Sequence, residues 1–506
     1  MSFRGTTALR AATALCALLP ALWVGTARAS YESLANDVQE INLDNGLKIL
    51  LLERHDVPVF SFWTYVNVGG VDEDKGQTGI AHMFEHMAFK GTYDLGSKDI
   101  KKELKVLDAM DDVYDALQAE KLKRDLADGA KIADLQAKFD ALQGEADTLV
   151  DTNAFGKLVE EQGGVGMNAM TNWDATQYFY SMPSNKLELW CLLESDRFIN
   201  PVLREFYKEK SVILEERNMR TDSQPQGRLF EEWIAESYLA HPYGRPAIGY
   251  RSDIELYSRR DAEGFYARHY GARNMVIALV GDIYYDDLVK LADKYFAKIP
   301  PGPGPTPVRT VEPAQRGERR VDIREATQPF LFVGYHIPAQ RDPDRPAIDA
   351  LADILGQGRS SRIYTRLVKE DKLAAFSGCF PGLPGDRYPS LLTFIAVPNQ
   401  DIPMADVESA IYEEAKRTVD DGVTAEELAG YKTRARAQFI QGLESNQGMA
   451  GQLCWAQMIL GDWRELFKQL EAIDAVTLED VQRVAGQIFT ESNRTVGTIS
   501  TTGEDS

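Results

Sequence analysis

Alternating apolar and polar positions predict β-strands in both halves of the chain. Residues 40–52 predict two strands that meet at Asn45-Gly46, a dipeptide typical of hairpin turns. Further strands are predicted at 60–68, 275–280, 329–335 and 391–397, and helices at 285–296, 345–355 and 407–418. Antiparallel hairpins mixed with helices indicate an α+β fold.

A helical period replaces the strand period between residues 105 and 150. Apolar side chains recur there at alternating steps of three and four, at Ile132, Leu135, Phe139, Leu142, Ala146 and Leu149. This spacing is typical of the seam between two packed helices. A partner stripe could come from Ala109, Val113, Ala116 and Leu117, with the turn near Gly129. We therefore predict an antiparallel helical hairpin inserted at about 105–155, with a structural or partner-docking role.

Proline and glycine dominate residues 299–307, which excludes both a helix and a central strand there. This segment predicts an N-terminal domain at 30–299, a linker at 300–318 and a C-terminal domain at 319–506. The 506 residues are 44% hydrophobic and 26% charged. That composition is ordinary for soluble globular domains and excludes collagen-like, purely coiled-coil and disordered classes.

The first 29 residues have the order of a secretory signal peptide. Arg4 and Arg10 precede an apolar run at 11–24, and Ala27-Arg28-Ala29 offers a cleavage site. The apolar run is shorter than the ~20 residues that a membrane-spanning helix needs. We expect removal of residues 1–29, export, a periplasmic location and no membrane anchor.

Net charge and cysteine content narrow the function classes further. The formal net charge is −21, which makes nucleic acid and anionic membranes poor partners. Cys16 would leave with the signal peptide, so at most one disulfide could form among Cys191, Cys379 and Cys454. The chain is therefore not a disulfide scaffold.

The strongest chemical signal is the sequence His82-Met83-Phe84-Glu85-His86. Residues four apart share a helix face, so both imidazoles can reach one cation with Glu85 beside them. This His-x-x-Glu-His order is a known zinc-protease motif, although a chance pair of histidines near a glutamate remains an alternative. A catalytic zinc needs a third protein ligand, and a predicted helix at 205–219 offers Glu209, Glu215 and Glu216.

Residues 82–92, HMFEHMAFKGT, resemble the zinc site of the insulinase/pitrilysin metallopeptidases, the group that includes the mitochondrial processing peptidase. Further matching segments are 43–47, 168–178, 196–201, 209–216 and 358–364. The resemblance implies two related α/β domains that form a clamshell and hydrolyse unstructured peptides. It also implies that His82, His86 and Glu216 bind one Zn²⁺ per chain. Glu85 would then act as general base, and Glu209 would orient the site from behind the ligands.

The spacing and the substrate strand are also interpreted through this resemblance. The step from His86 to Glu216 exceeds the usual family spacing by about the length of the predicted hairpin, so an insertion explains the difference. Asn168, Ala169, Met170 and Thr171 resemble the edge strand that binds substrate by strand addition.

One departure from the family concerns its C-terminal half. Val368 and Ala375 stand where self-sufficient members carry an Arg and a Tyr that grip substrate, and neither side chain can donate a hydrogen bond. A shifted alignment to Arg366 and Phe376 would restore only half the pair. We therefore predict a heterodimer, in which a homologous subunit without the zinc motif supplies the Arg and Tyr. A self-sufficient homodimer or monomer, or a catalytically silent peptide-binding scaffold, is the alternative.

Overall fold

The computed structural model describes residues 34–500, so the predicted signal peptide and Cys16 lie outside the described residues. Within residues 34–500, no helix combines the length and the apolar character needed to cross a membrane. Cys191, Cys379 and Cys454 are buried free thiols.

Eleven strands and a larger number of helices give the described chain a mixed architecture. The strands are β1 Val38–Asn42, β2 Lys48–Glu53, β3 Val59–Val66, β4 Val165–Thr171, β5 Thr176–Pro183, β6 Met275–Gly281, β7 Arg319–Arg324, β8 Phe330–Ile337, β9 Ala374–Leu383, β10 Ser390–Pro398 and β11 Arg494–Ser500. The helices of the first half, residues 34–299, are α1 Ile80–Met87, α2 Ile100–Lys121, α3 Gly129–Leu149, α4 Ala154–Glu161, α5 Leu187–Ile199, α6 Phe206–Arg217, α7 Pro225–Ser237, α8 Arg251–Leu256, α9 Arg259–His269 and α10 Tyr285–Tyr295. Those of the second half, residues 319–500, are α11 Arg345–Gly356, α12 Arg362–Tyr364, α13 Met404–Asp421, α14 Ala425–Glu444, α15 Asn446–Trp455, α16 Glu465–Ala475 and α17 Leu478–Ile488.

The strands form two sheets with the same topology. The first sheet has the order β1-β2-β6-β3-β5-β4, and the second has the order β7-β11-β8-β10-β9. β2 pairs with β6 in parallel as β7 does with β11, and the remaining neighbours are antiparallel in both sheets. Only the first sheet has an additional edge strand, β1. The predicted α+β fold with two related halves is therefore confirmed.

Each half contributes one helix to the other half's sheet. Trp233 on α7 lies over the second sheet, where its indole donates a hydrogen bond to the Thr495 carbonyl at 3.1 Å. A Cβ atom at Gly334 of that sheet would lie 2.5 Å from the Trp233 ring, so the glycine makes room for it. In return, α15 of the second half packs on β3 and β6, and Cys454 Sγ lies 3.2 Å from the Trp63 carbonyl oxygen. Both halves therefore share their hydrophobic cores, although residues 300–318 between them contain no helix or strand.

The residues predicted as a helical hairpin form α2 and α3, which begin and end about five residues before the predicted bounds. Asp99 and Asp128 cap the two helix N-termini through their carboxylates. The stripe from Ile132 to Leu149 is buried or partly buried as predicted. The predicted partner stripe was wrong in part, because Ala116 is exposed and the buried apolar face of α2 is Val106, Leu107, Met110, Tyr114 and Leu117.

Candidate metal centre

Helix α1 presents both histidines of the motif on one face. Ile80, Ala81, Met83 and Phe84 are buried in the first-half core and fix the rotation of this short helix. His82 and His86 therefore point the same way, with ring centroids 4.8 Å apart. The carboxylate of Glu73, itself buried, accepts hydrogen bonds from the Gly79 and Ala81 amides at 2.9 and 2.8 Å. It satisfies free N–H groups at the helix N-terminus.

Helix α6 brings a carboxylate to the two imidazoles. Glu216 Oε2 lies 3.6 Å from His82 Nε2 and 3.4 Å from His86 Nε2. The other oxygen of Glu216 pairs with Arg220 at 2.9 Å. Glu215, the competing candidate, is exposed and is not part of this group.

Glu209 approaches the site from behind His86. Its Oε2 lies 3.3 Å from His86 Nδ1, the nitrogen that faces away from Glu216. Its Oε1 accepts a hydrogen bond from Lys90 Nζ at 2.5 Å, and Glu205 also holds that ammonium group, at 3.2 Å. Lys90, Glu209 and His86 thus form a continuous polar chain that fixes the His86 ring.

The surroundings shift the pKa of each group in a direction set by burial and neighbouring charge. Burial lowers the pKa of His82 to about 4. Burial acts in the same sense on His86, but the hydrogen-bonded carboxylates of Glu209 and Glu216 outweigh it and raise its pKa to about 9. The hydrogen bond from His86 lowers the pKa of Glu216. Burial thus favours the neutral form of His82, and the two carboxylates favour the charged form of His86.

Glu85 lies at the open side of the centre. Its carboxylate is 4.0 Å from His82 Nε2 and partly exposed. Burial raises the pKa of Glu85, and the nearby Thr171 hydroxyl and His86 act in the opposite direction. A carboxylate with a raised pKa beside a cation site can exchange a proton with a water molecule there.

The donor set fits a zinc ion. Among the described residues, His82, His86 and Glu216 form the one group of this kind, with ligand atoms all within 4.8 Å of one another. Two ligand atoms at ordinary zinc distances in a tetrahedral site lie about 3.3 Å apart. The separations of 3.4 and 3.6 Å from Glu216 agree with that value.

A cavity of about 430 Å³ opens next to this group and is bordered by the edge strand β4. Its lining includes Glu85, His86, Phe89, Lys90, Thr152, Asn153, Asn168, Ala169 and Glu209. Asn168 and Met170 are exposed, Ala169 is buried, and Thr171 is partly buried. Lys90, Thr152 and Asn153 line this cavity but belong to none of the predicted site residues. Of these, only Lys90 had a local signal, because it follows His86 by four residues.

Backbone geometry leaves one side of β4 free. The Asn172 amide donates to the Ala175 carbonyl at 3.0 Å and closes the β4–β5 turn. Antiparallel pairs alternate along a ladder, so Thr171 and Ala169 fall at positions that do not bond to β5. Their N–H and C=O groups point to the open edge, where the Ala169 amide donates to its neighbour Asn168 Oδ1 at 2.9 Å.

In the second half, the positions that differ from the family offer no substitute donor. Val368 is partly buried and Ala375 is exposed on β9. Arg366 pairs with Glu413 and Asp371, and Phe376 is 49% exposed on the edge strand β9. The guanidinium of Arg366 is therefore already engaged by Glu413 of α13 and by Asp371.

Two family models and several known proteins match this chain. Residues 48–119 match a family model described as insulinase (peptidase family M16), and residues 257–435 match one described as peptidase M16 inactive domain. The chain is 27% identical over 465 residues to the zinc protease PqqE of Helicobacter pylori, which covers 90% of this chain and 91% of the relative. It is 26% identical over 454 residues to an uncharacterized zinc protease of Mycobacterium leprae, with 88% of each covered.

Solved structures share the fold. The crystal structure of a protease from Helicobacter pylori superposes with a TM-score of 0.74 at 26% identity, covering 92% of this chain and 99% of that one. The periplasmic protease PqqL from Escherichia coli gives a TM-score of 0.67 at 17% identity. This chain spans 47% of PqqL, with 92% of its own length covered.

Proposed function

We propose that this chain, which belongs to the insulinase family of peptidases (family M16), is a zinc-dependent endopeptidase. Its proposed substrates are unstructured peptides. The observation that carries the proposal is the convergence of His82, His86 and Glu216. These residues would hold one Zn²⁺ per chain. Relatives that cover most of the chain are named zinc proteases, which supports the same choice of metal.

The chain's own residues divide the chemistry between them. Bound zinc would supply a Lewis acid that polarises the scissile carbonyl and lowers the pKa of a water toward ~7. Glu85 takes the proton of the attacking water and then delivers it to the leaving amine, a task that suits its raised pKa. Glu209 holds His86 through Nδ1, so that the Nε2 lone pair faces the metal position.

Peptide substrates would bind as an additional strand along β4. The outward N–H and C=O groups of Ala169 and Thr171 offer backbone hydrogen bonds next to Glu85, and the exposed side chains of Asn168 and Met170 flank them. Strand addition requires an extended, locally unfolded substrate. It reads the peptide backbone more than its side chains.

The first experiment is cleavage of a mixed set of unstructured peptides by the mature chain, alone and together with any homologous subunit that copurifies with it. Glu85→Gln and a chelated sample should both abolish cleavage, whereas Glu215→Gln, a matched change on the exposed neighbour of Glu216, should not. Retention of zinc with no cleavage in the wild-type chain would instead favour a catalytically silent peptide-binding scaffold or an absent subunit.

Strand addition has its own test. Ala169→Pro removes an outward N–H without removing a ladder bond to β5, and Ala169→Ser keeps that N–H. We expect KM to rise for the proline variant and to stay near the wild-type value for the serine variant. Equal KM values in both variants would contradict binding along this edge.

The proposed active form is a heterodimer with a homologous subunit that lacks the zinc motif. The absence of donors at Val368 and Ala375 supports this, as does the engagement of Arg366 with Glu413 and Asp371. Copurification of such a subunit, with activity appearing only in the complex, is the expected result. Full activity of the pure chain would exclude the need for it.

We further propose export to the periplasm through residues 1–29. Cell fractionation with detection of a chain that begins at Ser30 tests this. A full-length chain retained in the cytoplasm would contradict it.

A further inference from the structure

We infer that the inserted hairpin α2–α3 is a buttress that sets the position of α6, and with it the carboxylates of the metal centre. The inference rests on the proposed zinc site. It assigns Glu103, Asp111 and Tyr114 of α2 as positioning residues that contact neither metal nor substrate.

Helix α6 contacts the metal centre with one face and the hairpin with another. Glu209 and Glu216, seven residues apart, face the histidines of α1. Tyr207 and Lys210, together with Arg204 just before the helix, face the hairpin instead. At 100° per residue, Tyr207 lies about 160° around the helix from Glu209. The hairpin therefore supports α6 from the side opposite the metal centre.

The first contact is a buried arginine that joins three elements. Arg204 is about 1% exposed and donates from Nε to Glu103 Oε1 at 2.9 Å. Its other nitrogens donate to the carbonyls of Lys90, Leu95 and Thr92 at 2.7, 2.9 and 2.7 Å. These carbonyls belong to the loop that follows α1, four residues after His86.

Two glycines shape this loop around the guanidinium. Gly91 and Gly96 adopt φ values of +93° and +96°. A Cβ atom would lie 2.7 Å from Arg204 Nη1 at Gly91 and 2.9 Å from it at Gly96. Glu103 is fully buried and supplies the charge that this guanidinium needs. Arg204 thus ties the end of the histidine helix to the start of the carboxylate helix, and the hairpin supplies the counter-charge.

Two further contacts lie along the same face of α2. Asp111 accepts a hydrogen bond from the Tyr207 hydroxyl at 2.8 Å and pairs with Arg259 at 2.7 Å. The Tyr114 hydroxyl accepts from Lys210 Nζ at 2.5 Å, and its ring packs 4.4 Å from that of Tyr207. Both pairs are buried, so they resist small movements of α6 relative to the hairpin.

Zinc affinity is the readout that separates positioning from general stability. The variants are Tyr114→Phe, which keeps the ring and loses the hydroxyl contact, and Glu103→Gln, which removes the counter-charge of Arg204. The control is Lys102→Gln, which breaks the exposed Lys102–Glu145 pair of the same hairpin. Zn²⁺ affinity is measured by chelator competition, the Co²⁺ absorption spectrum reports ligand geometry, and thermal melts of the chelated forms report folding.

We expect Tyr114→Phe to weaken Zn²⁺ binding about 3- to 30-fold. For Glu103→Gln we expect about 10-fold or more, with an altered Co²⁺ spectrum, kcat reduced and KM unchanged. Lys102→Gln should match the wild type. Unchanged Zn²⁺ affinity in a folded Tyr114→Phe, even with a lower melting temperature, would overturn the inference and leave the proposed function intact. A wild-type chain that binds no zinc would overturn both.

Discussion

The two halves share a strand order but place different side chains on corresponding helices. In the first half, the helix after β3 carries His82 and His86, which face the carboxylate of Glu216. In the second half, the helix after β8 carries Asp349 and Asp353 at the same four-residue spacing. There Arg345 donates to Asp349 at 2.7 Å, and Arg434 of α14 pairs with Asp353.

The second half has therefore paired its charges internally, whereas the first half leaves three ligand atoms facing one point. The size of the neighbouring cavity does not explain this difference. The cavity beside Asp349 and Asp353 measures about 860 Å³ and is larger than the cavity of about 430 Å³ next to the metal centre. The shared fold therefore positions the same helix face in both halves, and the residues on that face determine the chemistry.

The largest expected effect comes from removing a ligand in one half and its counterpart in the other. His86→Ala should abolish stoichiometric zinc binding and reduce peptidase activity by about 10³-fold or more, because zinc supplies the Lewis acid. Asp353→Ala should leave zinc content unchanged. Metal analysis and peptide cleavage check both variants, and zinc loss in Asp353→Ala would show that the second half also contributes to metal binding.

The next effect concerns the point where corresponding turns of the two sheets meet. Asp174, in the β4–β5 turn, accepts hydrogen bonds from the Tyr243 hydroxyl and the Asp386 and Arg387 amides at 2.5, 2.7 and 3.1 Å. Asp174→Asn should lower the free energy of unfolding by about 1.5–3 kcal/mol, since the neutral amide accepts these three hydrogen bonds less strongly than the carboxylate does. Urea unfolding measures this. An unchanged midpoint would mean that the two halves hold together without this contact.

A smaller effect is expected from the carboxylate behind His86. Glu209→Gln should weaken zinc binding about 10- to 100-fold, because the hydrogen bond that orients His86 loses its charged partner. Glu215→Gln, on the exposed face of the same helix, should bind zinc as the wild type does. Chelator competition distinguishes the two, and equal affinities would show that Glu209 does not orient the ligand.

The smallest effect contrasts His86 with His241, whose ring accepts a hydrogen bond from the Tyr243 amide and which the carboxylates of Glu312 and Asp174 influence only through their charge. Burial lowers the pKa of His241 to about 4, below the ordinary 6.5. The unfolded chain therefore binds more protons between these values, and stability should fall as pH drops from about 6.5 to 4. With zinc chelated throughout, the wild type should lose about 1–2 kcal/mol more than His241→Asn over this range. Parallel pH profiles in urea unfolding would contradict this assignment.

Local patterns predicted several features because they depend on residues close together in the chain. Asn45-Gly46 marks the observed β1–β2 hairpin, and the stripe from Ile132 to Leu149 marks the inner face of α3. The four-residue step from His82 to His86 placed two imidazoles on one helix face. The predicted partner stripe on α2 was wrong at Ala116, because α2 packs against α6 and α9 as well as against α3.

Local sequence patterns were enough to predict the helix and strand periods, the zinc-peptidase motif at 82–86 and the position of the helical hairpin. Tertiary packing places α7 and α15 each on the sheet of the other half, and it brings Arg204 to the loop after α1. It also decided that Lys90 supports Glu209. Periodicity reflects contacts between residues that are a few positions apart in the chain. These tertiary contacts join residues more than a hundred positions apart, and such residues meet only when whole helices and strands pack together.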